Sequence, residues 1–189
     1  MEIKELGLGL VSYNNVIKDN TTINSLINDN ELVWKKAAVL SNNKSIKDYN
    51  SRDTDISRIP YSKNMLDKTS SKNKLSNLLT QSFSPAINDY FDRYKVYTEN
   101  HYEYSLLRYG VGQKFDEHVD QVLGVDRTIS LVYFINDNYE GGTITFQALD
   151  VSIKPKSNQL IIFPSNYIYR HSVEEVTSGI RYSVVTWLV

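Results

Sequence analysis

The chain has 189 residues, with 21 Lys+Arg against 22 Asp+Glu for a formal net charge of -1. That length suits one domain with a real core, and that balance gives no broad field for phosphate backbones or anionic lipid, which disfavours nucleic acid as a bulk partner. Cysteine is absent, so disulfides, thiolate metal sites, redox CxxC pairs and cysteine nucleophiles are excluded, and any metal chemistry must use His and carboxylate.

The opening MEIKELGLGLVSYNN places charge where a signal peptide needs its apolar stretch. No run approaches the ~18 apolar residues of a membrane span. The expected setting is therefore soluble and cytoplasmic, with no membrane partner. Residues 7–16 alternate in polarity and predict a short strand; residues 21–28, with Asp19 and Asn20 as caps, predict a short helix. Residues 41–61 lack apolar periodicity and read as a solvated loop, with a mobile lid as the alternative. From Asn73, the residues Leu75, Leu78, Leu79, Phe83, Ile87, Tyr90, Phe91 and Tyr94 recur at helical steps, the mark of a helix packed on a core. Pro85 predicts two helices or a kink near Ser84. After Tyr97 the period changes to two, and residues 103–109, 128–135, 143–146, 159–163 and 182–188 read as strands between Gly, Asn, Asp or Pro signals. The fold class expected is mainly β (α+β), an antiparallel sandwich, barrel or jelly roll with supporting N-terminal helices. The expected organisation is one domain over 1–189, in which 1–100 supplies a strand and helices and 101–189 the chemistry.

Three histidines, His101, His118 and His171, are available. His118 and Asp120 are two apart, so in an extended segment both project from one face. His171, from a separate strand, would complete two His and one carboxylate, the donor set of non-haem Fe(II) oxygenases. Zinc hydrolases use the same ligand types, so the donors alone leave the metal open. If residues 171–176 and 180–185 form a hairpin around Thr177, Ser178 and Gly179, then Glu175 faces Arg181. Arg181 then lies ~13 Å along the strand from the level of His171. That span fits a metal-bound dicarboxylate held by a guanidinium fork, with a Glu175–Arg181 ion pair as the competing reading. No role is assigned to His101.

The run Tyr109-Gly110-Val111-Gly112-Gln113-Lys114-Phe115-Asp116-Glu117-His118-Val119-Asp120 resembles the YGxGxxFxxHxD signature of the 2-oxoglutarate and Fe(II)-dependent dioxygenases, in particular the prolyl 4-hydroxylase-like branch. Further matches follow in order: Arg127 to Phe134, Glu140-Gly141-Gly142-Thr143, Leu160 to Ser165, His171-Ser172-Val173, Gly179 to Ser183, and Trp187. The resemblance implies a double-stranded β-helix (jelly-roll) core. It implies Fe(II) on His118, Asp120 and His171, with 2-oxoglutarate held by Arg181 and by Tyr109, Ser130 and Trp187 close by. It implies Arg127 near the substrate, and Tyr167 and Tyr169 stand as candidate rim residues. By the same resemblance O2 oxidises 2-oxoglutarate to succinate and CO2 while a substrate is hydroxylated, with ascorbate as an auxiliary reductant, and the partner is a peptide or protein presenting a prolyl residue. Phe134 stands where relatives often carry Tyr, and Asn158 where a turn glycine is common. Gly141 and Gly142 read as a strand-linking turn. The alternatives are hydroxylation of a free amino acid, small metabolite or nucleobase, and a non-catalytic jelly-roll binding module. Oligomeric state is not legible from the sequence.

Overall fold

The computed structural model describes residues 1–18, 20–28, 32–41, 44–46, 48, 50–61, 70–98, 101–121, 124 and 126–189, with backbone alone at 20, 21, 39–41 and 44–46. In chain order the strands are β1 (Glu2–Gly7), β2 (Leu10–Asn14), β3 (Lys35–Lys36), β4 (Val39–Ser41), β5 (Lys44–Ile46), β6 (Asp55–Ile59), β7 (Tyr104–Tyr109), β8 (Phe115–His118) and β9 (Ile129–Phe134). They continue with β10 (Glu140–Gly141), β11 (Ile144–Phe146), β12 (Val151–Ile153), β13 (Gln159–Pro164), β14 (His171–Val173), β15 (Val176–Ser178) and β16 (Arg181–Leu188). The helices are α1 (Asn20–Ile27) and α2 (Ser71–Tyr94).

A large antiparallel sheet runs in the order β1-β2-β13-β9-β16-β7-β6-β3, and a small one in the order β12-β11-β14-β8. Alternation along the central strands explains the layering. In β9, Leu131 and Tyr133 join a core with Leu75, Leu79, Phe83, Ala86 and Tyr90 of α2. Val132 and Phe134 of the same strand join Ile144, Phe146 and Ile153 of the small sheet. One face of the large sheet is thus covered by α2, and the other by the small sheet. Buried on both faces, β9 reads as the apolar run ISLVYF, interrupted by Ser130 alone.

Four expectations need correction. The strand expected over 7–16 is confined to β2, because Gly9 (φ +71°) turns the chain there, and its hairpin partner β1 was not foreseen. The helix is single across Pro85. A proline inside a helix costs ~3 kcal/mol, but burial of Leu75, Leu79, Phe83 and Tyr90 on the large sheet, at roughly 1.5–3 kcal/mol for each aliphatic or aromatic side chain, outweighs it. Ser84 Oγ also donates to the Thr80 carbonyl at 2.6 Å. The stretch 41–61 is not wholly loop, since β6 adds to the large sheet between β3 and β7 and Arg52 bridges Phe115. The expected hairpin over 171–185 does not form. β14 pairs with β8 and β11, β15 with β10, and β16 with β7 and β9. Gly179 (φ +77°) lies where the chain passes from the two-stranded β10-β15 ladder to the large sheet. The cap proposed at Asp19 lies outside the described residues; Asn20 is the first residue of α1. No helix among the described residues is long and apolar enough to cross a membrane.

A two-histidine, one-carboxylate centre facing a cavity

Register places the two imidazoles together. His171 of β14 is the cross-strand partner of His118 at the end of β8, and their rings are 4.3 Å apart. Each ring is oriented by its own backbone: His118 Nδ1 meets the Asp116 carbonyl at 2.9 Å, and His171 Nδ1 meets the Tyr169 carbonyl at 3.0 Å. With Nδ1–H donating to a carbonyl, Nε2 keeps its lone pair free to ligate on both rings. Asp120 follows β8 and is buried; its Oδ1 lies 3.7 Å from His118 Nε2. Ser130 of the opposite sheet donates to Asp120 Oδ2 at 2.7 Å, and its oxygen is also 2.7 Å from Ser165 Oγ. One atom from each of His118, Asp120 and His171 lies within 4.8 Å of the others.

The electrostatics prepare His118 and Asp120 for a cation. Burial, reinforced by His171, pushes His118 down to about 3, so the ring is neutral at neutral pH. Burial alone would raise Asp120, but the neighbouring imidazoles and the Ser130 hydrogen bond more than offset it and hold the carboxyl below its ordinary value. A neutral imidazole at His118 and a carboxylate at Asp120 are protonation states that metal binding requires. The donor set and the oriented second ring nitrogens therefore fit a divalent transition metal, with coordination positions left for small ligands. Phe115 stacks on His118 at 3.6 Å, and Phe146 and Phe163 lie 5.2 Å from His171, an apolar collar around the donors.

The triad opens on a cavity of about 780 Å³. Its far wall is the inner face of the large sheet, where Ser105 and Ser183 are both buried. Arg181 lines the cavity from that wall and is 1% exposed. The parity argument that brought it there is overturned, since His171 and Arg181 sit on different sheets and meet across the sandwich. Glu175 is not its partner: among the described residues Arg181 pairs with no carboxylate, and its Nη1 donates to Ser183 Oγ at 3.1 Å. The guanidinium lies over Tyr109 at 5.0 Å and Phe134 at 5.3 Å, and its Nε is buried without an acceptor. Gly142 (φ +64°) allows this packing, because a Cβ there would come within 2.8 Å of Arg181 Cδ. An orphaned guanidinium nitrogen in a walled cavity suits a small dicarboxylate.

The remaining expected residues are distributed as follows. Tyr109 is buried and lines the cavity beside Arg181. Ser130 is committed to Asp120 and Ser165 rather than facing a free cosubstrate position. Trp187 lines the cavity, and Arg127 stacks on its indole at 3.6 Å while donating to the Asp120 carbonyl at 3.0 Å. Tyr169 corrects the expectation of a substrate residue: its ring is buried against Phe163 and its hydroxyl donates to the Leu8 carbonyl, leaving only its own carbonyl at the site. Tyr167 is 74% exposed and does not line the cavity. His101 stacks on Tyr61 at 4.4 Å and takes no part in the triad. Arg52 was not foreseen. It enters the cavity with its guanidinium over Phe115 at 4.5 Å, and a stretch without periodicity offered no signal for it.

Comparison with known proteins agrees with this geometry. Residues 104–189 match the family model of the 2OG-Fe(II) oxygenase superfamily. A PKHD-type hydroxylase of Prochlorococcus marinus (strain MIT 9313) is 38% identical over 87 residues, 43% of this chain and 38% of the relative. Prolyl 3-hydroxylase 2 of Homo sapiens is 38% identical over 66 residues, 32% of this chain and 9% of the relative. The match thus spans well under half the length of these curated relatives. Among solved structures, a Trichoplax adhaerens prolyl hydroxylase in complex with a hypoxia inducible factor peptide fragment superposes with a TM-score of 0.73 at 17% identity, over 95% of this chain and 83% of that one. A viral collagen prolyl hydroxylase from Paramecium Bursaria Chlorella virus-1 does so with a TM-score of 0.66 at 18% identity, over 96% of each chain. Over residues 104–189 the chain is thus similar to the 2OG-Fe(II) oxygenase superfamily, and it carries the double-stranded β-helix fold of these hydroxylases.

Proposed function

We propose that the chain is an Fe(II)- and 2-oxoglutarate-dependent dioxygenase that hydroxylates a prolyl residue of a peptide or protein. The balance is one 2-oxoglutarate, one O2 and one substrate C–H consumed, with succinate, CO2 and the hydroxylated substrate released. The observation that carries this reading is the pairing of the His118, Asp120 and His171 donor set with the buried, carboxylate-free Arg181 in one cavity. When bound, the iron supplies the oxygen-activating redox chemistry that no amino-acid side chain provides.

This chain's own residues bind, orient and exclude water. His118 and His171 present Nε2 because their Nδ1 atoms are held by the carbonyls of Asp116 and Tyr169. Ser130 fixes the free oxygen of Asp120 so that the other faces the imidazoles. Arg181 takes the distal carboxylate of 2-oxoglutarate through charge-assisted hydrogen bonds, and the flanking Tyr109 and Phe134 rings keep water from competing for it. With Phe134 in place of a tyrosine, the guanidinium and Ser183 carry that end of the cosubstrate. Trp187 holds Arg127 against the Asp120 backbone at the entrance to the triad.

The test is anaerobic reconstitution with Fe(II), followed by succinate formation from 2-oxoglutarate under O2, with and without a proline-rich peptide pool. Peptide-stimulated succinate and a gain of one oxygen on proline are expected. His118→Ala and Asp120→Ala should abolish Fe(II) binding, whereas Arg181→Ala should mainly raise the 2-oxoglutarate concentration required. Verified iron binding without any turnover would overturn the reading in favour of a binding module.

A further inference from the structure

Two more guanidinium groups reach the same cavity, and the assignments above leave their charges unanswered. Arg52 and Arg127 both line it, and among the described residues neither forms an ion pair with a carboxylate. Each has a buried Nε with no hydrogen-bond partner. Arg52 uses one nitrogen on the Ala38 carbonyl at 3.0 Å, and Arg127 uses one on the Asp120 carbonyl at 3.0 Å, which leaves donors on both forks. Each lies over an aromatic ring, Arg52 over Phe115 at 4.5 Å and Arg127 over Trp187 at 3.6 Å. Phe115 in turn stacks on His118, so the Arg52 guanidinium and the metal-binding imidazole contact the same ring.

The position of Arg52 is built rather than incidental. Its segment is tied to β8: Asp53 N donates to the Lys114 carbonyl at 3.0 Å and Asp116 N to the Ser51 carbonyl at 2.7 Å. Residues 51–53 thereby continue the small sheet beyond β8 and carry the guanidinium over the triad. Burying a cation without a counter-charge is costly unless a ligand supplies one. Arg52 and Arg127 also repel each other, and burial works against both charges. The Asp120 carboxylate attracts both, but it serves the metal, and 2-oxoglutarate engages Arg181.

We propose that the substrate carries a carboxylate close to the hydroxylated carbon, and that Arg52, with Arg127 beside it, is the residue that selects for this charge. The proposal rests on the dioxygenase reading and narrows it, from a prolyl unit in any peptide to one bearing a free carboxylate, whether a terminal residue or an acylated amino acid. The planar fork of an arginine stacked on an aromatic ring matches a carboxylate in two parallel hydrogen bonds, and a lysine would not reproduce this.

The test uses the full chain with Mn(II) and 2-oxoglutarate under argon, so that binding is read without turnover. Calorimetric titration compares two pairs of probes that differ only in charge: N-acetyl-L-proline with N-acetyl-L-prolinamide, and the tripeptide Ala-Ala-Pro with its C-terminal amide. The unmodified protein should bind the acid of at least one pair 10-fold or more tighter than the amide, and the pair that discriminates separates a small substrate from a peptide end. In R52Q the acid-to-amide ratio should fall to about 2 or less, and R52K should not restore it. Because the ratio is taken within each variant, a general loss of affinity cancels. Equal binding of acid and amide by the unmodified protein, binding of neither, or a ratio unchanged in R52Q would overturn the proposal. Titrating Mn(II) and 2-oxoglutarate alone first separates this from failure of the dioxygenase reading, in which those two would not bind.

Discussion

Asp120 is held below its ordinary value although burial alone would raise it, and the Ser130 hydroxyl is one reason. Ser130→Ala leaves one carboxylate oxygen without its donor and frees the side chain to rotate. Loss of such an orienting contact typically lowers metal affinity by about 10–100-fold, and a Mn(II) titration of the variant should fall in that range. The neighbouring ring gives a pH dependence. His118 titrates near 3 in the folded protein, below its ordinary 6.5, so as pH falls through 6.5 the unfolded chain takes up a proton there that the folded chain refuses. The stability due to the neutral ring is therefore full above pH 6.5 and declines toward pH 3, by up to about 1.4 kcal/mol per pH unit. Asp120, depressed below 3.8, acts in the same sense at lower pH still. The Tm of the metal-free protein should drop between pH 7 and pH 5, and drop less in His118→Leu; equal drops would show that the ring is not neutral. The donors were legible because an i, i+2 pair in an extended segment has one geometric outcome. Ser130's partner was not, because Asp120 reaches it across the sandwich, where no local period applies.

Among the elements, Asn158 shows what a substitution for glycine can add. It holds φ +62°, the left-handed geometry for which asparagine is the best tolerated side chain after glycine. Its Oδ1 accepts from Ile17 N at 2.8 Å and from the Tyr133 hydroxyl at 3.2 Å, while Nδ2 donates to the Ile17 carbonyl at 2.8 Å. Three hydrogen bonds at roughly 1 kcal/mol each exceed the strain that glycine would relieve, of order 1 kcal/mol. Asn158→Gly should therefore lower stability by about 1–2 kcal/mol in a urea melt, even though glycine suits the backbone better. The central strands were legible because alternation or a continuous apolar run needs no knowledge of partners. β1 was missed because Glu2, Lys4 and Glu5 give an exposed outer strand no apolar face, and β6 because five residues in a polar stretch look like connection. The false hairpin over 171–185 arose from the turn. Parity carries side-chain direction only along strands that pair, and β14 and β16 pair elsewhere.

For the whole molecule, the family match begins at residue 104, but the physical unit extends further toward the N-terminus. Leu131, Tyr133, Leu160, Ile162 and Val184 of the large sheet are covered by α2, and β2 and β6 supply the neighbours of β13 and β7. The isolated segment 104–189 would expose that whole face. It should show neither near-ultraviolet ellipticity nor cooperative unfolding, whereas the 189-residue chain shows both; a cooperative melt from the segment would refute this account of the core. The large sheet also has two outer strands, β1 and the two-residue β3, each of which pairs on one side only with another strand of the sheet among the described residues. They carry Glu2, Lys4 and Glu5 at one side and Lys35 and Lys36 at the other. A chain of net charge -1 has almost no long-range repulsion to keep its copies apart. Protection against edge-to-edge stacking into fibres then falls to these few rim charges, since a second copy could extend the sheet only by burying ammonium and carboxylate groups against its own.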